Sequence, residues 1–132
     1  MQIIDKLAWI NIDNGKILST RSKGKDTYYI PGGKREADET DWEALSREIK
    51  EELDIDLVED SLRSAGTFEA QAHGKQDRVM VRMTCYYADY TGNLKANSEI
   101  DELIWLNYSG REKSSAVDKI IFDELHKQEK LE

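Results

Sequence analysis

Residues 33–55 read GKREADETDWEALSREIKEELDI, and this stretch decides the reading of the chain. Gly33 is followed after five residues by Glu39, and after seven more by Arg47-Glu48-Ile49-Lys50-Glu51-Glu52. Thr40 with Glu43 has the spacing of a capping box, so a helix is expected over residues 40–53. An α-helix turns about 100° per residue. With Glu48 at zero, Glu52 lies at about +40° and Glu51 at about −60°, so the three carboxylates share an arc of about 100°. Trp42, Leu45, Ile49 and Leu53 occupy the neighbouring arc, from about +60° to +140°. The helix therefore offers an apolar stripe to a core and an acidic stripe beside it. Glu48 and Glu52 are like charges at i and i+4, which repel in a bare helix. A divalent cation removes that cost, and hard carboxylate oxygens suit Mg²⁺ or Mn²⁺. Mg²⁺ takes few carboxylates and fills its shell with water and phosphate oxygens, so the stripe points to a phosphate-bearing ligand. Arg47 stands at i−4 from Glu51 and can hold a ligand carboxylate from behind.

Three glutamates on a helix would by themselves be an ordinary solvated face. The whole string, with Gly33, Glu39, Arg47-Glu48, Glu51-Glu52 and the aliphatic Ile49 and Ile55 in register, resembles the signature of the Nudix hydrolases, G-x5-E-x7-R-E-U-x-E-E-x-G-U, where U is a bulky aliphatic. The resemblance implies one Nudix domain over residues 1–132. It also implies an α/β fold, an α/β/α sandwich with a mixed β-sheet. The implied chemistry is Mg²⁺- or Mn²⁺-dependent hydrolysis of a diphosphate bond in a nucleoside diphosphate derivative. By position in the motif, Glu48, Glu51 and Glu52 would be metal ligands, and Arg47 would hold the cluster. Glu39 would be a peripheral ligand or an acceptor for the loop. Gly32 and Gly33 would let the backbone approach metal or phosphate. Lys34 is a candidate phosphate contact. The general base would be Glu48 or a later acid among Glu99, Asp101 and Glu102, with Glu99 the preferred later candidate. One departure stands out: Asp54 occupies the place of the motif glycine, where a helix end often requires a left-handed residue. Asp adopts that conformation at modest cost, so the helix end is in question and the ligand set is not.

The formal net charge is −8 over 132 residues, but the acidity is local. Residues 36–60 hold twelve acidic against two basic side chains, while the remainder holds fifteen acidic and seventeen basic. Such a charge argues against non-specific binding to a nucleic-acid polymer or an anionic membrane. The length and 39% hydrophobic content suit one core-bearing domain. Cys85 is the single cysteine, which excludes an internal disulfide and reads as a small buried residue. No apolar run approaches membrane-spanning length, and the start of the chain, with an early Asp5, lacks the shape of a signal peptide. The expectation is a reduced, cytoplasmic protein. Family members are often homodimers, and nothing in the sequence marks a dimer face.

Outward from the helix, residues 7–12 alternate in a way that suits a strand buried on both faces, and Asn14-Gly15 signals a hairpin returning over residues 16–21. Residues 27–30 read as a short strand ended by Pro31, and Gly32-Gly33 as a turn. Residues 61–66 read as a connection, 67–72 as a strand, 73–77 as a turn and 79–90 as the longest strand. On that strand Val79, Val81, Met83, Cys85 and Tyr87 share one face, and Met80, Arg82, Thr84 and Tyr86 the other. Residues 98–102 read as an acidic loop and 103–106 as a strand. Ser115 opens a last helix with Asp118 at the box position and Val117, Ile120, Ile121 and Leu125 facing the core.

For substrate, Arg82 and Tyr86 are candidates for base or phosphate contact, with Glu69 and Gln71 on a neighbouring strand and Tyr28 and Tyr29 available to stack on a base. Residues 29–34, YIPGGK, are similar to those of MutT-type enzymes, which act on nucleoside triphosphates, including oxidised ones. The proline that marks many ADP-ribose hydrolases is missing, with Ala70 and Gln71 standing about where it would be. A tyrosine associated with dinucleoside polyphosphate hydrolases is also missing. The expected activity is a MutT-like (d)NTP pyrophosphohydrolase. The alternatives are an ADP-ribose or nucleotide-sugar pyrophosphatase and a Nudix-derived domain that binds nucleotide without cleaving it. The third is disfavoured because every motif glutamate is present.

Overall fold

The alternation that begins at Leu7 organises the whole molecule. In the computed structural model, which describes residues 2–72 and 78–132, β1 (Gln2–Trp9) is the strand around which both cores form. Leu7 and Trp9 point into one core and Ala8 and Ile10 into the other, all of them buried. Asn14 and Gly15, both at positive φ (53° and 77°), close the expected hairpin between β2 (Ile12–Asp13) and β3 (Lys16–Ser22). The adjacent Ile17 and Leu18 of β3 again divide between the two cores.

Residues 27–30 form no regular strand. Tyr28 bridges to Ser114 and Tyr29 to Thr20, each for a single residue, because the two partners lie on different elements. Gly32-Gly33 is not a turn but lies within a strand, β4 (Gly32–Lys34), antiparallel to β1 with Gly33 opposite Leu7. Then comes α1 (Asp41–Leu53), followed by β5 (Asp56–Leu57), a 3₁₀ turn (Glu59–Ser61), β6 (Arg63–Gln71) and β7 (Val79–Tyr87). The connection expected over residues 61–66 is therefore mostly strand. The expected long strand ends early: β8 (Tyr90–Thr91) is a separate piece that pairs with β5. The turn expected over residues 73–77 lies outside the described residues.

β9 (Ile100–Leu106) begins earlier than expected, so Asp101 and Glu102 belong to a strand rather than to a loop. A 3₁₀ segment (Tyr108–Lys113) leads into α2 (Ala116–Lys127). Val117, Ile121 and Leu125 face the core as expected, joined by Phe122, whereas Ile120 is 41% exposed. On a helix whose buried stripe runs through residues 117, 121 and 125, position 120 falls at its edge.

The main sheet runs β4-β1-β7-β6. β1 and β7 are parallel and the outer pairs antiparallel, so the sheet is mixed. A second sheet runs β2-β3-β9. α1 covers one side, packing Ala44, Leu45, Ile49 and Leu53 on Leu7, Trp9 and Leu18. α2 covers the other, on Ala8, Ile10, Ile17, Met83 and Cys85. Each fully buried Leu or Ile contributes about 1.5–3 kcal/mol, so this double burial is what holds β1 between the helices. The result is the expected α/β/α sandwich. Among the described residues no helix is long and apolar enough to cross a membrane.

Candidate active site

α1 starts where its capping box places it, and its end, left in question by Asp54, falls at Leu53. The Thr40 hydroxyl accepts from the Glu43 N–H and the Glu43 carboxylate accepts from the Thr40 N–H, at 3.1 and 2.9 Å. At the other end Asp54 takes the left-handed conformation (φ 56°, ψ 40°) that the motif glycine would supply, so the helix ends at Leu53. Both ends are thus anchored and the acidic stripe between them is held in a set position.

The stripe is seated on β4. Glu52 is buried, and its Oε1 accepts from the Gly32 N–H at 3.2 Å. A Cβ at Gly32 would run into the Leu7 carbonyl oxygen, and φ there is +150°. A Cβ at Gly33 would collide with the Glu48 carboxyl. Glycine at both positions therefore lets strand backbone pass directly beneath two carboxylates. Exposure is graded across the stripe, with Glu52 buried, the Glu48 side chain 16% exposed and that of Glu51 56% exposed.

Arg47 braces this arrangement. Its fork donates to both oxygens of Glu39, Nε to Oε2 at 2.7 Å and Nη2 to Oε1 at 2.9 Å. Nη1 donates to Glu48 at 3.0 Å, and Nη2 also reaches the Lys34 carbonyl at 3.1 Å. The expected partner Glu51 lies 3.6 Å away, an ion pair looser than that to Glu39. Glu39 in turn accepts from the Glu36 N–H at 2.8 Å. It thus stands as the acceptor that ties the loop to Arg47, which holds its carboxyl down at about 2.

Electrostatics separate the acids. Burial pushes Glu52 up to about 8, with the charges of Glu48, Glu99 and Glu51 adding to the effect. Burial also raises Glu48, against the pull of Arg47. Among the described residues no three acidic, histidine or cysteine side chains converge as a ready-made cation cage. Without a cation, Glu48 leans on Arg47 and Glu52 on the Gly32 N–H. The donor set nevertheless fits a hard divalent cation. The oxygens are carboxylates, the backbone passes beneath them without a Cβ, and a cation would repay the burial of Glu52.

The family model for the NUDIX domain matches residues 6–119. The chain belongs to the Nudix family. It is a Nudix hydrolase, with the mixed-sheet α/β/α fold of that family. The solution structure of the E. coli ORF135 protein superposes with a TM-score of 0.73 at 25% identity, covering 93% of this chain and 88% of that one. The MutT protein from Methanosarcina mazei Go1 gives 0.76 at 20% identity, covering 97% and 96%. A UDP-X diphosphatase gives 0.72 at 20% identity, covering 97% of this chain and 64% of that one. No curated protein matches the chain significantly in sequence.

In this Nudix domain the segment before β9 closes over the end of α1. The N–H groups of Lys95 and Asn97 donate to the carbonyls of Leu53 and Glu52, and the Asn97 side chain donates to that of Glu51. These contacts satisfy the helix's orphan carbonyls. They also bring Glu99 close enough for its charge to be felt at both Glu48 and Glu52. The other two late candidates are engaged elsewhere. Asp101 and Glu102 bind Arg21 at 2.9 and 3.1 Å, and the Tyr28 hydroxyl donates to Glu102 at 2.7 Å. Arg82 is paired with Glu69 at 2.7 Å, and the Tyr86 hydroxyl donates to Asp41 at the start of α1. Neither Arg82 nor Tyr86 lines the cleft against Glu52 or the one that adjoins it. Tyr29 lines both, and Lys34 and Gln71 line the adjoining one.

Lys6 and the inward turn of Asp118, expected only at its capping-box position, were not foreseen from the sequence. Lys6 sits on the core face of β1 between Ile4 and Ala8, half-buried, and lines both clefts. Burial lowers its pKa, against the charges of Asp118, Glu52 and Glu48, which raise it. The break in the apolar alternation at position 6 was the available signal. Asp118 is fully buried, and its Oδ2 accepts from the Ile30 N–H at 2.8 Å. No local pattern reveals that contact.

Proposed function

We propose that this Nudix hydrolase is a Mg²⁺-dependent, MutT-type nucleoside triphosphate pyrophosphohydrolase. The observation that carries the reading is the stripe Glu48, Glu51 and Glu52, laid over the Cβ-free backbone of Gly32-Gly33 and braced by Arg47. Glu48, Glu51 and Glu52 would hold the metal, with Glu39 fixing Arg47 and the Gly33 backbone beneath. A bound divalent cation would neutralise the diphosphate oxygens and make water a better nucleophile. Glu99 takes the proton from the attacking water: its charge is felt at Glu48 and Glu52, whereas Asp101 and Glu102 are engaged with Arg21. Arg47 keeps Glu48 oriented, and Lys34 contacts phosphate. Water adds at one phosphorus, the anhydride P–O bond breaks, and the products are nucleoside monophosphate and pyrophosphate.

The second reading keeps the chemistry and exchanges the substrate for ADP-ribose or a nucleotide sugar; the structural likeness to a UDP-X diphosphatase is what favours it. Turnover of a nucleotide panel with Mg²⁺, followed by product separation, tests both. Monophosphate with pyrophosphate from a triphosphate supports the first. Cleavage of ADP-ribose or a nucleotide sugar alone overturns it in favour of the second.

A further inference from the structure

The cleft that continues from the acidic stripe toward α2 has a cation in its floor that the motif does not contain. One compartment of about 200 Å³ lies against Gly32, Gly33 and Glu52. A second, of about 230 Å³, lies beside Val81, Ser115 and Val117 and is lined mainly by apolar surface. Lys6, Tyr29 and Met83 line both, so they mark where the two compartments meet. Lys6 stands directly opposite Lys34 across the β1–β4 ladder, and Lys34 lines the second compartment. Like charges directly opposite on neighbouring strands destabilise a sheet. Among the described residues Lys6 makes no ion pair, and its one polar contact is with the Tyr29 ring, 5.7 Å from the ring centre. Asp118, Glu52 and Glu48 act on it only at longer range, so a half-buried ammonium with no ion pair among the described residues, facing a second one, still carries a cost that an anion bound between them would lift.

We propose that Lys6 is a substrate-binding residue whose ammonium, together with that of Lys34, receives the phosphoryl oxygens of the phosphate that bears the nucleoside. This deepens the proposed function and rests on it. The place of Lys6 decides which phosphate is meant. On one side of it is the acidic stripe that would hold the scissile diphosphate, and on the other the apolar compartment that suits a nucleoside rather than a second phosphate. A charge-assisted hydrogen bond to phosphate also satisfies an ammonium better than a neutral base carbonyl does.

The test is equilibrium binding, without metal, of the four common nucleoside monophosphates, their nucleosides and inorganic pyrophosphate to the wild type, Lys6→Met and Lys6→Arg. Methionine suits the apolar neighbours, and thermal unfolding checks that the variant folds. The expected result is a loss of about 10- to 100-fold in monophosphate affinity for Lys6→Met. Nucleoside and pyrophosphate affinities should not change, and Lys6→Arg should recover most of the loss. Equal monophosphate affinity in wild type and Lys6→Met overturns the proposal. So does an equal loss for nucleosides, which would make Lys6 a reader of the base, and so does a wild type that binds no monophosphate. Because the measurement needs neither metal nor turnover, failure to hydrolyse any diphosphate would count against the proposed reaction alone.

Discussion

The two helices open with the same local grammar and use it differently. Thr40-x-x-Glu43 and Ser115-x-x-Asp118 both place a hydroxyl at the N-cap and an acid three residues on. In α1 both halves of the box form, at the surface. In α2 only the hydroxyl half forms, with Ser115 accepting from the Asp118 N–H at 3.4 Å. The Asp118 carboxylate turns inward to the Ile30 N–H, and its other oxygen has no hydrogen-bond partner among the described residues. Burial then lifts its pKa to about 7, opposed by the Ile30 and Ser115 contacts and by the charge of Lys6. A capping hydroxyl needs only its own helix. Where the acid goes depends on what lies above the helix end: solvent over α1, the chain at Ile30 over α2. α1 therefore spends its acids on the outer stripe, and α2 keeps one inside.

The largest break in this contrast should come from removing α1's chemistry without touching its fold. Glu51→Gln and Glu52→Gln should each lower kcat by about 10³-fold, several kcal/mol of transition-state stabilisation. Glu52→Gln should leave stability at pH 7 nearly unchanged, because glutamine mimics the protonated acid and still accepts from Gly32. Near-full turnover by both variants with saturating Mg²⁺ would remove the ligand assignment.

The buried acid of α2 should show the opposite behaviour, altering stability with pH. Because the folded-state pKa of Asp118 is raised, the native state binds more protons than the unfolded state between about pH 4 and pH 7. The Asp118 contribution to stability is therefore fully present at low pH and is lost as pH rises through that window. Asp118→Asn keeps the acceptor for Ile30 and should flatten this slope. Urea unfolding at pH 5 and pH 8 should show the variant gaining on the wild type by roughly 2–3 kcal/mol between the two. A constant difference would mean that Asp118 does not titrate as buried.

Smaller effects sharpen the geometry. Gly33→Ala should displace the Glu48 carboxyl, costing about 1–3 kcal/mol in stability and reducing turnover. Thr40→Ala and Ser115→Ala should cost about 1 kcal/mol each, nearly equal because the hydroxyl half of the box is the same. A much larger loss for Ser115→Ala would mean that the hydroxyl also supports the buried Asp118.

What could be read beforehand was what neighbours in sequence dictate. The start of α1, its capping box and its acidic stripe beside an apolar one all depend on residues within one or two turns, whereas the left-handed Asp54 that ends the helix was settled only by the structure. The alternation of Leu7, Ala8, Trp9 and Ile10 announced burial on both faces for the same reason. Arg82 and Tyr86 show where such reading ends, since the strand face was right but their partners Glu69 and Asp41 come from other elements. The extension of β9 through Asp101 and Glu102 likewise needed Arg21 of β3 as an anchor.

The sequence by itself therefore determined the family, the acidic helix and the order of charges along it, because helical spacing turns separations in sequence directly into directions in space. Only the tertiary structure decided that Glu99 stands beside the stripe, that Lys6 floors the cleft and that Asp118 is sealed beneath Ile30. Each of those depends on which distant backbone passes within hydrogen-bonding or Coulombic reach, a property of how the two cores close around β1.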